Sequence, residues 1–164
     1  MLIILMGNDG GSIPRRREVV KQQKREERKE NFEMAKAKSR FCALSKEPLR
    51  KPVSFCRLGL LYNKEEVMKR LIEKTMPKAF RHIRKLKDVK EVKCDDTRVE
   101  EEDGAQIIVC PVSKRELNGF HPFVAVWGCG CVLSEEATLE LKMAESCLSC
   151  GAKIEKKTDI ISLN

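Results

Sequence analysis

Phe41-Cys-Ala-Leu-Ser-Lys-Glu-Pro-Leu49 (FCALSKEPL), laid over Val109-Cys-Pro-Val-Ser-Lys-Arg-Glu-Leu117 (VCPVSKREL), puts Cys42 on Cys110, Ser45 on Ser113, Lys46 on Lys114 and Leu49 on Leu117. The match continues past a small insertion, with Pro52 on Pro122, Gly59 on Gly130 and Asn63 on Ser134. A stretch that recurs within one chain is a supersecondary unit used twice. Each copy opens on a cysteine-led loop and runs into a hairpin, PVSFCRLGLLY or HPFVAVWGCGCVL, whose alternating and β-branched residues surround a Gly. A helix start follows. Asn63 with Glu66 three residues on has the capping-box pattern, and Ser134 precedes Glu135 and Glu136, which suit the positive end of a helix dipole. Val67, Leu71 and Ile72 give the first helix an apolar stripe, and Leu139 with Met143 give one to the second.

The expected fold class is therefore α+β, two small modules in tandem, each a hairpin plus a helix. Their boundaries fall at residues 40–90 and 107–164. An acidic linker over 91–106 joins them, with Asp95, Asp96, Glu100, Glu101, Glu102 and Asp103 ending on Gly104, and a basic arm over 1–39 precedes them.

Eight cysteines in 164 residues carry the chemistry. The apolar run Leu2 to Met6 lacks a basic leader and is too short for a signal-peptide core, and no stretch has the length of a membrane span. The cysteines are thus read as thiols or metal ligands before disulfides. Cys129 and Cys131 close the second hairpin, and after fifteen intervening residues Cys147-Leu-Ser-Cys150 supplies a C-x-x-C. Two close pairs separated by a helix bring four thiolates together, the tetrahedral set that one structural Zn2+ prefers. His121 and Cys110 are alternates, His121 by replacing or orienting a cysteine, Cys110 as the remnant of a second site whose partner position holds Ser113. The first copy has Leu58 and Leu60 in place of the hairpin cysteines and Met76-Pro-Lys-Ala79 in place of the C-x-x-C. Apolar packing is expected to replace the metal there, so that losing a zinc ligand unfolds the second copy and leaves the first standing. Cys42, Cys56 and Cys94 lack paired spacing and read as buried or incidental. A redox C-x-x-C is disfavoured, because no βαβ setting surrounds Cys147.

The formal net charge of +8 points to acidic partners. Arg15, Arg16, Arg17, Lys21, Lys24 and Arg25 concentrate it in the arm, an extended or helical segment that either is simply solvated or contacts DNA, RNA or an acidic protein. A second basic cluster comprises Lys78, Arg81, Arg84, Lys85, Lys87 and Lys90. A base-reading zinc finger is disfavoured, because Glu135 to Met143 is acidic and would repel phosphate.

The C-x-x-S opening, hairpin, Gly-containing turn, capped helix and closing C-x-x-C resemble RING and U-box modules, the first copy a zinc-free U-box and the second a single-zinc RING. Met6-Gly-Asn-Asp-Gly-Gly-Ser-Ile-Pro-Arg15, the two cysteine-led loops, Asn118-Gly-Phe-His121 and Gly128-Cys-Gly-Cys-Val-Leu-Ser134 resemble, more specifically, the replication termination factor 2 family. That resemblance implies a nuclear adaptor without catalytic residues that regulates fork pausing, termination and stability through replisome or spliceosome proteins, with links to pre-mRNA splicing. The RING/U-box likeness also implies an alternative, a ubiquitin or SUMO ligase that orients a conjugating enzyme through Leu44 or Val112 and residues near Leu148. Against it stand the missing Pro inside the C-x-x-C knuckle and Gly151 where a basic residue often sits.

Overall fold

Short β-branched and aromatic runs on either side of a turn give paired strands in both hairpin stretches, buried along their whole length. The computed structural model describes residues 30–93, 97–99, 104–143, 145–154 and 157–163, without the side chains of 97–99 and 157. Residues 32–164 make one unit; of the other, Met1–Asn31, only Glu30 and Asn31 are described. The arm residues Arg15, Arg16, Arg17, Lys21, Lys24 and Arg25, and Cys94, lie outside the described residues.

Helix α1 (residues 30–40) leads into the Phe41 loop. Strand β1 (Val53–Cys56) pairs antiparallel with β2 (Leu61–Asn63), Val53 opposite Asn63, and α2 (Lys64–Glu73) follows. Strand β3 (Val89–Glu91) returns to the other side of β1, giving the order β2-β1-β3. The stretch read as a solvated linker is partly sheet, since β4 (Thr97–Val99) pairs with β5 (Gln106–Ile108), and Gln106 N–H donates to Leu49 O at 2.9 Å. Buried Ile107 and Ile108 explain the departure, because burying them requires their backbone to be paired. The second copy then repeats the first. Strands β6 (Phe123–Val126), β7 (Val132–Ser134) and β8 (Ile160–Leu163) form the order β7-β6-β8, and α3 (Glu135–Glu140) leaves β7 as α2 leaves β2. Phe123 stands opposite Ser134 as Val53 stands opposite Asn63.

The helix starts differ from the sequence pattern in one copy. Ser134 caps α3, its hydroxyl accepting from Ala137 N–H at 3.4 Å. Asn63 does not cap α2. Its Oδ1 accepts from Arg50 N–H at 2.9 Å and its Nδ2 donates to Pro48 O at 3.1 Å, so the side chain ties down the preceding loop instead. Val67 is buried and Leu71 packs on the core, but Ile72 is 81% exposed. In α3 the buried residue is Ala137, whereas Leu139 is 70% exposed and Met143 lies beyond the helix end. Leu139 is two residues from Ala137, about 200° around the helix, and so faces away from the core.

Helix α2 ends on Lys74 with φ 55°, its N–H donating to Arg70 O. A side chain is disfavoured in that left-handed conformation, and glycine is not. Lys74→Gly is expected to stabilise the domain by about 0.5–1 kcal/mol, read as a raised urea midpoint at unchanged m-value.

One core runs through both copies, from Leu49, Phe55, Tyr62 and Ile83 to Phe123, Val126, Val132 and Leu133. The contacts between copies are reciprocal. A Cβ at Gly59, in the first hairpin turn, would run into the Ser162 carbonyl of β8; a Cβ at Gly130, in the second, would run into the Glu91 carbonyl of β3. Equivalent turns thus press on equivalent strands, as in an isologous dimer. Arg57 and Trp127 hold matching positions after β1 and β6, and the Arg57 guanidinium lies 4.5 Å from the Trp127 ring centre. Phe55 meets the same indole edge-on at 5.7 Å. Lys93 N–H donates to Gly130 O at 2.8 Å, a further backbone link between the copies.

Candidate metal centre

The local backbone that places Cys147 and Cys150 occurs three times. In the Cys42 loop, Cys42 N–H donates to Glu47 O and Lys46 N–H to Cys42 O, while Leu49 N–H reaches back to Arg40 O. The Cys110 loop makes the same bonds to Arg115 O, from Lys114 and from Leu117. At Cys147 the set recurs: its N–H donates to Ala152 O, Gly151 N–H to Cys147 O and Ile154 N–H to Glu145 O. The fifth residue of each loop takes a positive φ, Lys46 62°, Lys114 56° and Gly151 70°. The sequence repeat exposed two of these knuckles. The third has no Ser-Lys pair to align and shows only in the backbone.

What closes the knuckle differs. Buried Cys42 Sγ accepts from Asn63 N–H at 3.3 Å, and buried Cys110 Sγ accepts from Ser134 N–H at 3.3 Å. Ser113 and Ser134 hydroxyls complete the second loop at 2.8 Å. Burial pushes the Cys110 thiol up, but the Ser113 hydroxyl and the Ser113 and Ser134 amides outweigh it and the net shift is downward. Hydrogen bonds hold these two corners, so Cys42, read from spacing as buried or incidental, is buried, and it and Cys110, read as a remnant, both have a structural part.

The third knuckle is closed by sulfur. Cys129 and Cys131 lie at the end of the β6–β7 hairpin, and their Sγ atoms and those of Cys147 and Cys150 all lie within 4.8 Å of one another. A tetrahedral zinc at about 2.3 Å from each sulfur needs sulfur separations of about 3.8 Å, so small adjustments seat the ion. The surroundings suit thiolates at Cys150, where the Ala152 amide leads in holding the thiol down to about 7. Burial pushes the Cys129 thiol up despite the Cys131 amide, and pushes Cys131 up further with help from the neighbouring sulfurs. Four thiols so placed resist ionising together, and a divalent cation removes that penalty. His121 and Cys110 lie outside this group. His121 is exposed, its Nδ1 3.5 Å from Arg115 Nη1.

In the first copy the leucine replacement is half as expected. Leu60 packs against the core with Met76 and Phe80, but Leu58 is 59% exposed. Tyr62 takes the vacated polar role, its hydroxyl 3.5 Å from both Cys56 Sγ and His82 Nε2, while Phe80 meets its ring edge-on at 5.9 Å. Of the candidate contact residues for a conjugating enzyme, Leu44 is buried in the core, Leu148 is half-buried and Val112 is exposed.

These features define a small α+β domain of antiparallel sheets and few helices with a four-cysteine centre fit for zinc. The Rtf2 RING-finger family model matches residues 6–164, and the chain belongs to that family. Replication termination factor 2 of Rattus norvegicus is 42% identical over 97% of this chain and 56% of its own length. The Homo sapiens and Gallus gallus proteins of that name are 41% and 37% identical with the same coverage. The chain thus spans about half the length of the curated relatives it matches. No described helix is long and apolar enough to cross a membrane.

Proposed function

We propose that the protein is a nuclear adaptor of the replication machinery that regulates fork pausing, termination and stability through protein contacts, with a further role in pre-mRNA splicing. The observation that carries this reading is the similarity to replication termination factor 2 along 97% of the chain. Residues 40–90 serve as a zinc-free U-box-like module and 107–164 as a RING-like module around one structural zinc on Cys129, Cys131, Cys147 and Cys150. The zinc does no chemistry on a substrate; it neutralises four thiolates and holds a platform on which partners dock. Arg15, Arg16, Arg17, Lys21, Lys24 and Arg25 add attraction to DNA, RNA or an acidic partner. Affinity purification from nuclear extract with and without the Cys131→Ser substitution tests the adaptor. Recovery of replisome or spliceosome proteins by the wild type, and their loss with the variant, is expected; a wild-type sample without either class overturns it.

The exposure of Val112 and the partial exposure of Leu148 favour a second reading, a ubiquitin or SUMO ligase using the second module. Buried Leu44 argues against the same use of the first. Discharge of a charged conjugating enzyme at the enzyme-free rate, unchanged by Val112→Ala, removes this reading.

A further inference from the structure

Residues 74–90 hold seven Lys or Arg and one acid, Asp88. The equivalent stretch of the second copy, 145–159, carries its C-x-x-C with three lysines and three acids. Between helix and third strand, one copy has cations where the other has sulfur. A run of charge is ordinarily only a solvated face, but three features set this one apart. It is fixed from beneath, since Ile83 is 2% exposed, Phe80 packs on Tyr62, and two 3-10 turns, Lys78–Phe80 and Leu86–Asp88, shape the backbone. Its one acid is turned to the backbone, Asp88 Oδ2 accepting the Arg84 and Lys85 N–H groups at 2.8 Å each. Lys78, Arg81, Arg84, Lys85 and Lys87 are exposed and form no side-chain ion pair among the described residues, whereas Lys64, Arg70 and Arg115 are each paired with a glutamate.

The same loop borders a groove of about 470 Å³. Phe41, Phe80, Leu60 and Leu61 give it apolar walls, and Lys38 and Lys46 stand at it. Cations beside a groove with two phenyl rings match a chain that carries one phosphate per flat aromatic base, whose π face stacks on a phenyl ring. In a duplex the bases are stacked away, and an acidic peptide has the charge without the rings. We propose that this face of the first copy binds single-stranded nucleic acid, with a base against Phe41 and Phe80 and phosphates on Lys38, Lys46 and the cations of residues 78–87. The site is distinct from the arm residues Arg15 to Arg25 and does not depend on the adaptor reading.

The test measures fluorescence anisotropy of the full chain with labelled oligothymidine and oligouridine of about 20 nucleotides, longer than the roughly 4–16 nucleotides that a single-strand-binding fold covers. Controls are a duplex, an abasic strand and polyglutamate. Natural single strands are expected to bind about tenfold more tightly than the abasic strand, the order of one stacked base. Arg81→Ala/Arg84→Ala/Lys85→Ala/Lys87→Ala is expected to weaken binding at least tenfold and to lower the slope of log affinity against log salt by about 3, from about 0.7 per lost contact. Arg15→Ala/Arg16→Ala/Arg17→Ala keeps the preference for natural over abasic strands. Circular dichroism melts check folding, and Lys38→Glu/Lys46→Glu gives the same reading should the quadruple variant melt early. Wild-type affinity in either loop or groove variant overturns the proposal, as does equal binding of abasic strands. Displacement by polyglutamate at equal charge concentration assigns the face to an acidic protein instead and likewise overturns it.

Discussion

Cys147→Ser, or removal of the metal by a chelator, is expected to unfold the second copy and to loosen the first. Cys147 is 2% exposed and supplies one of the four clustered sulfurs. A structural zinc contributes on the order of 10–16 kcal/mol in apparent binding free energy, as much as the whole stability of a small domain. Its loss therefore removes more than residues 107–164 can spare. Two independent modules would confine the damage, and the leucines of the first copy suggest such independence. The packing says otherwise. The hairpin that carries Cys131 between its strands also supplies Gly130 O to Lys93 and Trp127 to Phe55 and Arg57, so unfolding it strips β3 and the first hairpin turn of their cover. Trp127 is the one tryptophan of the chain and reports the event directly by fluorescence during a chelator titration. Hydrogen exchange should show lost protection in Val89–Glu91 as well as in β6 to β8. Full protection of β3 after metal loss would contradict this coupling. Because binding requires four deprotonated thiols while burial holds Cys129 and Cys131 in the neutral form, the metal-free protein binds more protons and zinc affinity falls as pH falls. Elemental analysis should find one zinc per chain.

Gly130→Val is expected to cost about 3 kcal/mol or more, a large share of the stability of such a domain. Gly130 has φ 83°, and any Cβ there meets the Glu91 carbonyl of the other copy, a backbone atom that cannot swing aside. Strain and separation of the copies act together. Gly59→Val, with φ 79° and the Ser162 carbonyl opposite, is expected to match it. Because both substitutions push apart the same two copies, at Ser162 and at Glu91, their combination should cost less than the sum. Gly104, with φ 62° but nothing within 4 Å of a Cβ, provides the control for strain without the clash. Urea melts of the four variants decide; an additive double variant, or Gly130→Val no worse than Gly104→Val, would show that the copies do not lean on each other there.

How far the sequence revealed this protein depends on which force acts. Hairpins were legible because β-branched and aromatic runs around a turn glycine mark paired strands, here buried along their whole length, and the four cysteines because metal geometry constrains spacing. The third knuckle was hidden because backbone hydrogen bonds place no demand on side-chain identity beyond the residue with positive φ, which is Lys in two loops and Gly in the other. Asn63 misled for a related reason, since the capping pattern is local whereas the competing acceptor, Pro48 O, and donor, Arg50 N–H, come from a loop brought back by tertiary packing. The strand at Thr97–Val99 was masked by the acids around it, because its partner β5 carries the apolar residues.

The Arg57–Trp127 pair has a genetic consequence. In a true homodimer, residues at matching positions beside a twofold axis are the same residue, so an arginine there would face its own copy and repel it. Joining both halves in one gene removes that constraint, and each can mutate alone. Here one side carries a cation and the other the ring that receives it, a contact no symmetric assembly of identical chains has available at that position.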